Sequence, residues 1–221
     1  MTLSDPTPVA DFWARLPIQA INWGLGAASV SSRTEGGEII TAERGVRLWR
    51  ASVTLHSMLH REAEAILARL SALTGAGRSF LAYPRPVDSP AVDPDGSIIG
   101  AYSPTIGAIA ADRIRMRLSN MPPLYQLHGG EYLALTYGSS PSRYGLHQIV
   151  AGDPIADATT RQTPLFEVRP AIRPGATVGA GVTLHRPVMR AQLVRESVNT
   201  GTSARLRRSG ISFDIIQTLR G

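Results

Sequence analysis

His56 and His60 lie four residues apart, a spacing that sets two imidazoles on one helix face, as in many zinc sites. The intervening Ser57-Met58-Leu59 holds no glutamate where a zinc protease carries its general base, and no third ligand stands nearby. The two histidines are therefore expected to straddle a strand-to-helix junction. Asp93-Pro94-Asp95-Gly96 has the acids of a calcium loop without its alternating oxygen donors or closing glutamate, and reads as a tight turn. Gly24-Leu25-Gly26 lacks the third glycine of a dinucleotide fingerprint. No serine is flanked by glycines two residues away on both sides, as a nucleophile elbow requires. Glu62 and Glu64, two apart on a helix, face different directions and do not converge. No catalytic, cofactor-binding or metal-binding residues are expected.

The residues that do form a pattern are arginines. Arg113, Arg115 and Arg117 alternate with Ile114, Met116 and Leu118, the period of a strand with one charged and one apolar face. Arg205, Arg207 and Arg208 cluster in a second polar stretch, residues 199–210. Guanidinium forks pair bidentately with carboxylates, so these six are the candidate subunit-interface residues; plain solvation of an outer strand face is the alternative for the row of three.

One helix is expected at about residues 58–74. Ala63, Ile66, Leu67, Leu70 and Leu73 fall three and four apart, giving a single apolar stripe, with Ser57 as the cap and Gly75 and Gly77 as the stop. Trp49, Ala51, Val53 and Leu55 alternate with Arg50, Ser52 and Thr54 in a strand leading into it. Further strands are expected at 79–83, 113–118, 132–137, 146–150, 165–169, 188–195 and 211–219, with turn formers such as Gly129-Gly130 and Pro174-Gly175 between them. Residues 84–112 contain Pro84, Pro86, Pro90, Pro94 and Pro104 and read as a long proline-rich binding loop, with a small strand at 98–102. The fold class expected is mainly β: a β-sandwich or partly open β-barrel with one amphipathic α-helix and long loops. Residues 1–221 are expected to form a single structural domain.

Composition favours an assembling protein. Charged residues make up 18% of the 221, against about 25% in typical soluble domains. A chain with little charge is suited to burying surface against partners. The formal net charge is +6, and all 23 basic residues are arginine, the side chain best fitted to buried ion pairs, although a GC-rich genome gives the same bias. Apart from Arg205, Arg207 and Arg208 they are scattered, which argues against specific nucleic-acid binding. There is no cysteine, hence no disulfide or thiolate site. No run approaches the roughly 20 apolar residues of a membrane span, and the first nine residues do not read as a signal peptide, so a soluble chain with no membrane contact is expected.

The order of motifs resembles a known family. Gly45-Val46-Arg47-Leu48-Trp49-Arg50-Ala51-Ser52-Val53-Thr54-Leu55 leads into the helix and on to Gly77-Arg78-Ser79-Phe80-Leu81-Ala82-Tyr83-Pro84. Thr163-Pro164-Leu165-Phe166-Glu167-Val168-Arg169-Pro170-Ala171-Ile172-Arg173 precedes Arg186-Pro187-Val188-Met189-Arg190-Ala191-Gln192-Leu193, and Gly210-Ile211-Ser212-Phe213-Asp214 opens the final strand. This series is similar to that of the distal tail (tail-tip ring) proteins of long-tailed bacteriophages and gene transfer agents. The resemblance implies a non-enzymatic virion structural protein, assembled in the host cytoplasm, that forms a ring, commonly a hexamer, joining the tail tube to the tail tip and hub. It implies as partners further copies of the chain, the tail tube protein, the hub and tip proteins and the tape-measure protein. DNA is not an expected ligand, because a tail lumen must let the genome slide past. A carbohydrate-binding β-sandwich module is the alternative, and a hydrolase a third reading that lacks a nucleophile and base.

Overall fold

In the computed structural model, residues 4–43 and 45–219 are described. The chain is mainly β and builds two hydrophobic cores. Strands β1 (Ile18–Leu25), β4 (Trp49–Leu55), β16 (Ser212–Gln217), β13 (Met189–Leu193) and β6 (Phe80–Ala82) lie in that order in one antiparallel sheet. Along β4 the expected alternation appears: Trp49, Ala51, Val53 and Leu55 are buried, and Arg50 and Ser52 are exposed on the opposite face. Phe213 and Ile215 of β16 and Met189 and Ala191 of β13 extend the same buried face across the sheet.

The helix α1 (His60–Leu73) covers that face with Ala63, Leu70 and Leu73, while Ile66 and Leu67 are half-buried at its margin. Its N-cap is Leu59 rather than Ser57. The Glu62 carboxylate accepts the Leu59 backbone N–H at 3.2 Å, which satisfies one of the orphan donors, and Ser57 is engaged elsewhere. Helical structure is also not confined to one segment, because 3-10 turns form at Val9–Asp11, Trp13–Arg15, Ile99–Ala101 and Arg195–Ser197. The first two bring Phe12 and Trp13 into the sheet-side core, where Trp13 Nε1–H donates to the Tyr83 carbonyl at 3.0 Å.

Between the adjacent strands β6 and β13 the chain leaves the sheet and builds a second body. Strands β7 (Thr105–Ile109), β8 (Arg115–Ser119), β9 (Tyr132–Tyr137), β10 (Arg143–Ala151), β11 (Phe166–Arg169) and β12 (Gly181–Thr183) form a closed barrel, in the cyclic order β10-β11-β8-β7-β12-β9. In place of a sandwich or a partly open barrel, the fold is therefore an open sheet joined to a closed barrel. The closing strand β12 is three residues long and pairs with both β7 and β9, too short to leave an alternation in the sequence. Met116, Leu118, Leu133, Leu135, Ile149, Phe166 and Val168 fill the interior.

The proline-rich segment also departs from expectation. β7 occupies part of residues 84–112, and where a strand was expected at 98–102 a 3-10 turn forms at Ile99–Ala101. The two bodies meet at Trp49. Its Nε1–H donates to the Leu146 carbonyl of β10 at 2.8 Å, and its ring meets Tyr132 of β9 edge-on at 5.4 Å.

Candidate interaction surfaces

The arginine row is not uniform. Arg113 precedes β8 with φ 54°, and its guanidinium donates to the Ile172 carbonyl at 2.7 Å and to the Arg173 carbonyl, closing a turn against the barrel. It is a structural clamp and does not share the outer face of the strand. Arg115 does lie on that face, exposed and paired with Asp112 at 2.8 Å. Arg117 is half-buried and donates to Gln162 at 3.3 Å, with its Nε left unpartnered. Sequence alternation alone could not separate them, because the turn that diverts Arg113 is fixed by carbonyls sixty residues away.

Residues 199–210 are not a loop. β14 (Thr202–Ser203) and β15 (Arg207–Ser209) form a hairpin that adds to β5 (Met58–Leu59), making a small three-stranded sheet. Arg207 donates to the Ser57 carbonyl at 2.6 Å and to its hydroxyl at 3.1 Å. Arg208 pairs with Glu64 of α1 at 2.8 Å. His60 Nε2 lies 2.8 Å from the Ala204 carbonyl, which places His60 in this packing and apart from His56. Arg205 and Leu206 stand at the tip, Leu206 at 71% exposure.

A second hairpin, absent from the sequence reading, joins β1 to β4. Strands β2 (Ser29–Arg33) and β3 (Ile39–Glu43) pair only with each other. Every residue of β2 is exposed, and Ile39 and Ile40 are 65% and 58% exposed. Val30, Ala42, Ser32 and Ile40 share one face by register, so the hairpin has an apolar side with no core against it. The turn carries Glu35 and Glu38 and is closed by Thr34, whose hydroxyl accepts the Glu38 N–H at 3.1 Å. Gly36-Gly37, with Gly37 at φ 84°, is the turn signal the sequence offered for it.

The face of the five-stranded sheet turned away from α1 is uncovered. It forms a groove of about 550 Å³ lined by Asn22, Gly24, Arg50, Ser52, Asp214 and Ile216, mostly small or polar side chains. Such a sheet face can meet water or a polar partner without a packing penalty.

Two buried carboxylates order the proline-rich segment, Asp93 from within it and Glu131 from the approach to β9. Asp93 accepts the N–H groups of Ile98 and Ile99 at 3.1 and 2.8 Å, and Glu131 those of Ala91 and His128 at 2.7 and 2.9 Å. Burial first, and these two charges second, raise the Tyr125 hydroxyl well above its ordinary pKa. Asp95 accepts from Ser97, so the Asp93-Pro94-Asp95-Gly96 acids hold their own turn. Among the described residues no three metal-ligating side chains converge.

Ser89 Oγ and His185 Nδ1 stand 2.9 Å apart beside a cavity of about 410 Å³ that Tyr102, Thr136 and Thr183 also line. The Asp88 carboxylate lies 3.3 Å from the serine oxygen instead of orienting the imidazole, so the order of a catalytic triad is not reproduced. The His185 ring packs over Gly96, at φ 74°, where a Cβ would come within 2.6 Å of it. All four phenylalanines and two of the three tryptophans are buried, while Trp23 and the tyrosines Tyr102, Tyr132, Tyr137 and Tyr144 are half-buried.

No helix among the described residues is long and apolar enough to cross a membrane. Comparison with protein-family models and with curated proteins finds no match to this chain.

Proposed function

We propose that the chain is a non-enzymatic structural subunit of a long-tailed phage or gene-transfer-agent tail, a distal tail protein whose copies close into a ring, hexameric by analogy with the family its motifs resemble, between the tail tube and the tail tip or hub. The reading rests on the series of family-like motifs from Trp49 to Phe213, and one structural observation carries it furthest. The β2–β3 hairpin presents Val30, Ile39 and Ile40 to water, although an isolated two-stranded hairpin is marginal in water by itself. A subunit that works alone has no use for an apolar arm, whereas a subunit in an assembly covers it. The open sheet face with its groove is a second surface suited to a neighbour. In this reading Arg205 and Arg207 meet carboxylates on adjoining subunits, whereas Arg115 is already paired with Asp112 and Arg113 and Arg208 serve the chain's own packing. The tube, hub and tape-measure proteins are the further partners of this reading, with the virion tail as its location.

Electron microscopy of the purified protein, alone and with assembled tail tubes, tests this. Closed rings at the tube end are expected. A single copy per particle, or a protein that stays monomeric in the presence of tubes, would overturn the proposal.

A further inference from the structure

The two hairpins sit at opposite ends of the same strand. β1 and β4 are joined through β2–β3 at the Leu25–Trp49 end of the sheet. The β14–β15 hairpin lies at the other end, where Leu55 N–H bonds the Ile211 carbonyl and Ser212 pairs with Asn199. Each projects a tip with exposed apolar side chains and unneutralised charge, and the signs are opposite. The first tip carries Glu35 and Glu38, with Ile39 and Ile40 behind them. Among the described residues neither carboxylate makes an ion pair, and Arg33, two residues before Glu35, makes none either. The second tip carries Arg205 with Leu206 beside it and Leu59 on the adjoining strand, 71% and 51% exposed. Among the described residues Arg205 has no acidic partner, and Arg207 is held by Ser57 without being neutralised. Of the three arginines only Arg208 is balanced, by Glu64.

We infer that the acidic β2–β3 hairpin of one copy docks on the basic β14–β15 hairpin of the next. Val30 and Ile40, on one face of the hairpin, cover Leu206 and Leu59, and Glu35 and Glu38 pair with Arg205 and Arg207. The contact is head-to-tail, since the two patches differ and lie at opposite ends of one sheet. A contact of this kind closes into a ring when the rotation between copies divides a full turn, and otherwise continues as a filament. Charge complementarity fixes which end meets which, because like ends repel. The inference rests on the ring-forming reading above and specifies the surface that would build it.

A charge-exchange experiment separates the two claims. One variant carries E35R and E38R, the other R205E; all three positions are solvent-exposed, and retained circular dichroism and melting temperature verify the fold. Assembly is read by sedimentation velocity, with tail tubes added as nuclei. Each variant alone is expected to need at least about tenfold more protein to assemble than wild type, the effect of about 1.4 kcal/mol per contact. A mixture of the two restores assembly in part, because half of the alternating contacts are then wild type and the other half regain an opposite-charge pair at position 205. If both variants assemble alone as wild type does, the hairpin contact is wrong while the ring stands. If wild type itself never assembles on tubes, both claims fall. Loss without recovery in the mixture removes charge pairing, and rings that form normally but no longer bind tubes assign the acidic hairpin to the tube. Should R205E or the double variant fold poorly, E35Q/E38Q and R205Q replace them, with a smaller loss expected and no loss counting against the contact.

Discussion

His147 is a deeply buried titratable side chain, and its state follows from its surroundings. It lies in β10, 2% exposed, with Nδ1–H donating to the Pro170 carbonyl at 2.7 Å. Burial pushes the imidazole down to about 4; the Pro170 carbonyl opposes that shift, and the nearby Arg173 charge adds to it. The folded protein therefore holds His147 neutral at a pH where the unfolded chain, with a value near 6.5, takes up a proton. Stability from this group is complete above the unfolded value and is lost as pH falls from about 6.5 toward 4. The full effect is on the order of 3 kcal/mol. Urea unfolding at pH 7 and pH 4.5 is expected to show most of that fall, and His147→Asn, which keeps a donor for Pro170 but cannot titrate, should flatten it. An equal pH slope in that variant would assign the effect to other groups. Asp5 acts in a lower window. Burial alone would raise its carboxyl, but hydrogen bonds from Ser79 and the Arg190 guanidinium outweigh burial and hold it below the usual value, so its contribution is lost only as pH falls through the acidic range below about 4.

At the scale of elements, α1 shows how a correct periodicity still needs a tertiary surface to rank its residues. Leu70 is fully buried against the sheet, whereas Leu67 is half-buried and lines a surface depression with Val198 and Arg208. Leu70→Ala is expected to cost about 2–5 kcal/mol, the range for a fully buried leucine, and Leu67→Ala clearly less. Denaturant midpoints of the two variants check the ordering, and equal losses would mean that Leu67 is covered by something other than the chain itself. The stripe of α1 and the alternation of Trp49–Leu55 were legible because a long, half-buried element must repeat its pattern to keep one face on the core. The hairpins were not legible. β14 and β15 are two and three residues long, and β2–β3 packs on nothing, so no buried face imposed an alternation on either.

At the scale of the whole molecule, the sheet and the barrel are coupled through Trp49. Its indole fills the sheet-side core, and its N–H reaches the Leu146 carbonyl of the barrel. Trp49→Phe keeps an aromatic ring against Tyr132 but removes that hydrogen bond and about 1–3 kcal/mol. Hydrogen exchange in mild denaturant is expected to show the barrel and the sheet opening together in wild type and separately in the variant. Unchanged joint opening would place the coupling in the chain crossings at β6 and β13 instead. What the sequence determined by itself is local: mainly β character, a helix at about residues 58–74, the buried faces of β4 and β8, and a low-charge composition whose basic residues are all arginine. Only the tertiary structure decided that β12 closes a barrel between two neighbouring strands of a sheet, that Arg113 clamps carbonyls while Arg115 faces out, and that oppositely charged hairpins stand at the two ends of β4. The physical reason is common to all three. Periodicity reports which side of an element meets a core, whereas closure, clamping and the placement of exposed arms depend on contacts between residues far apart in the chain, which leave no repeat in the sequence.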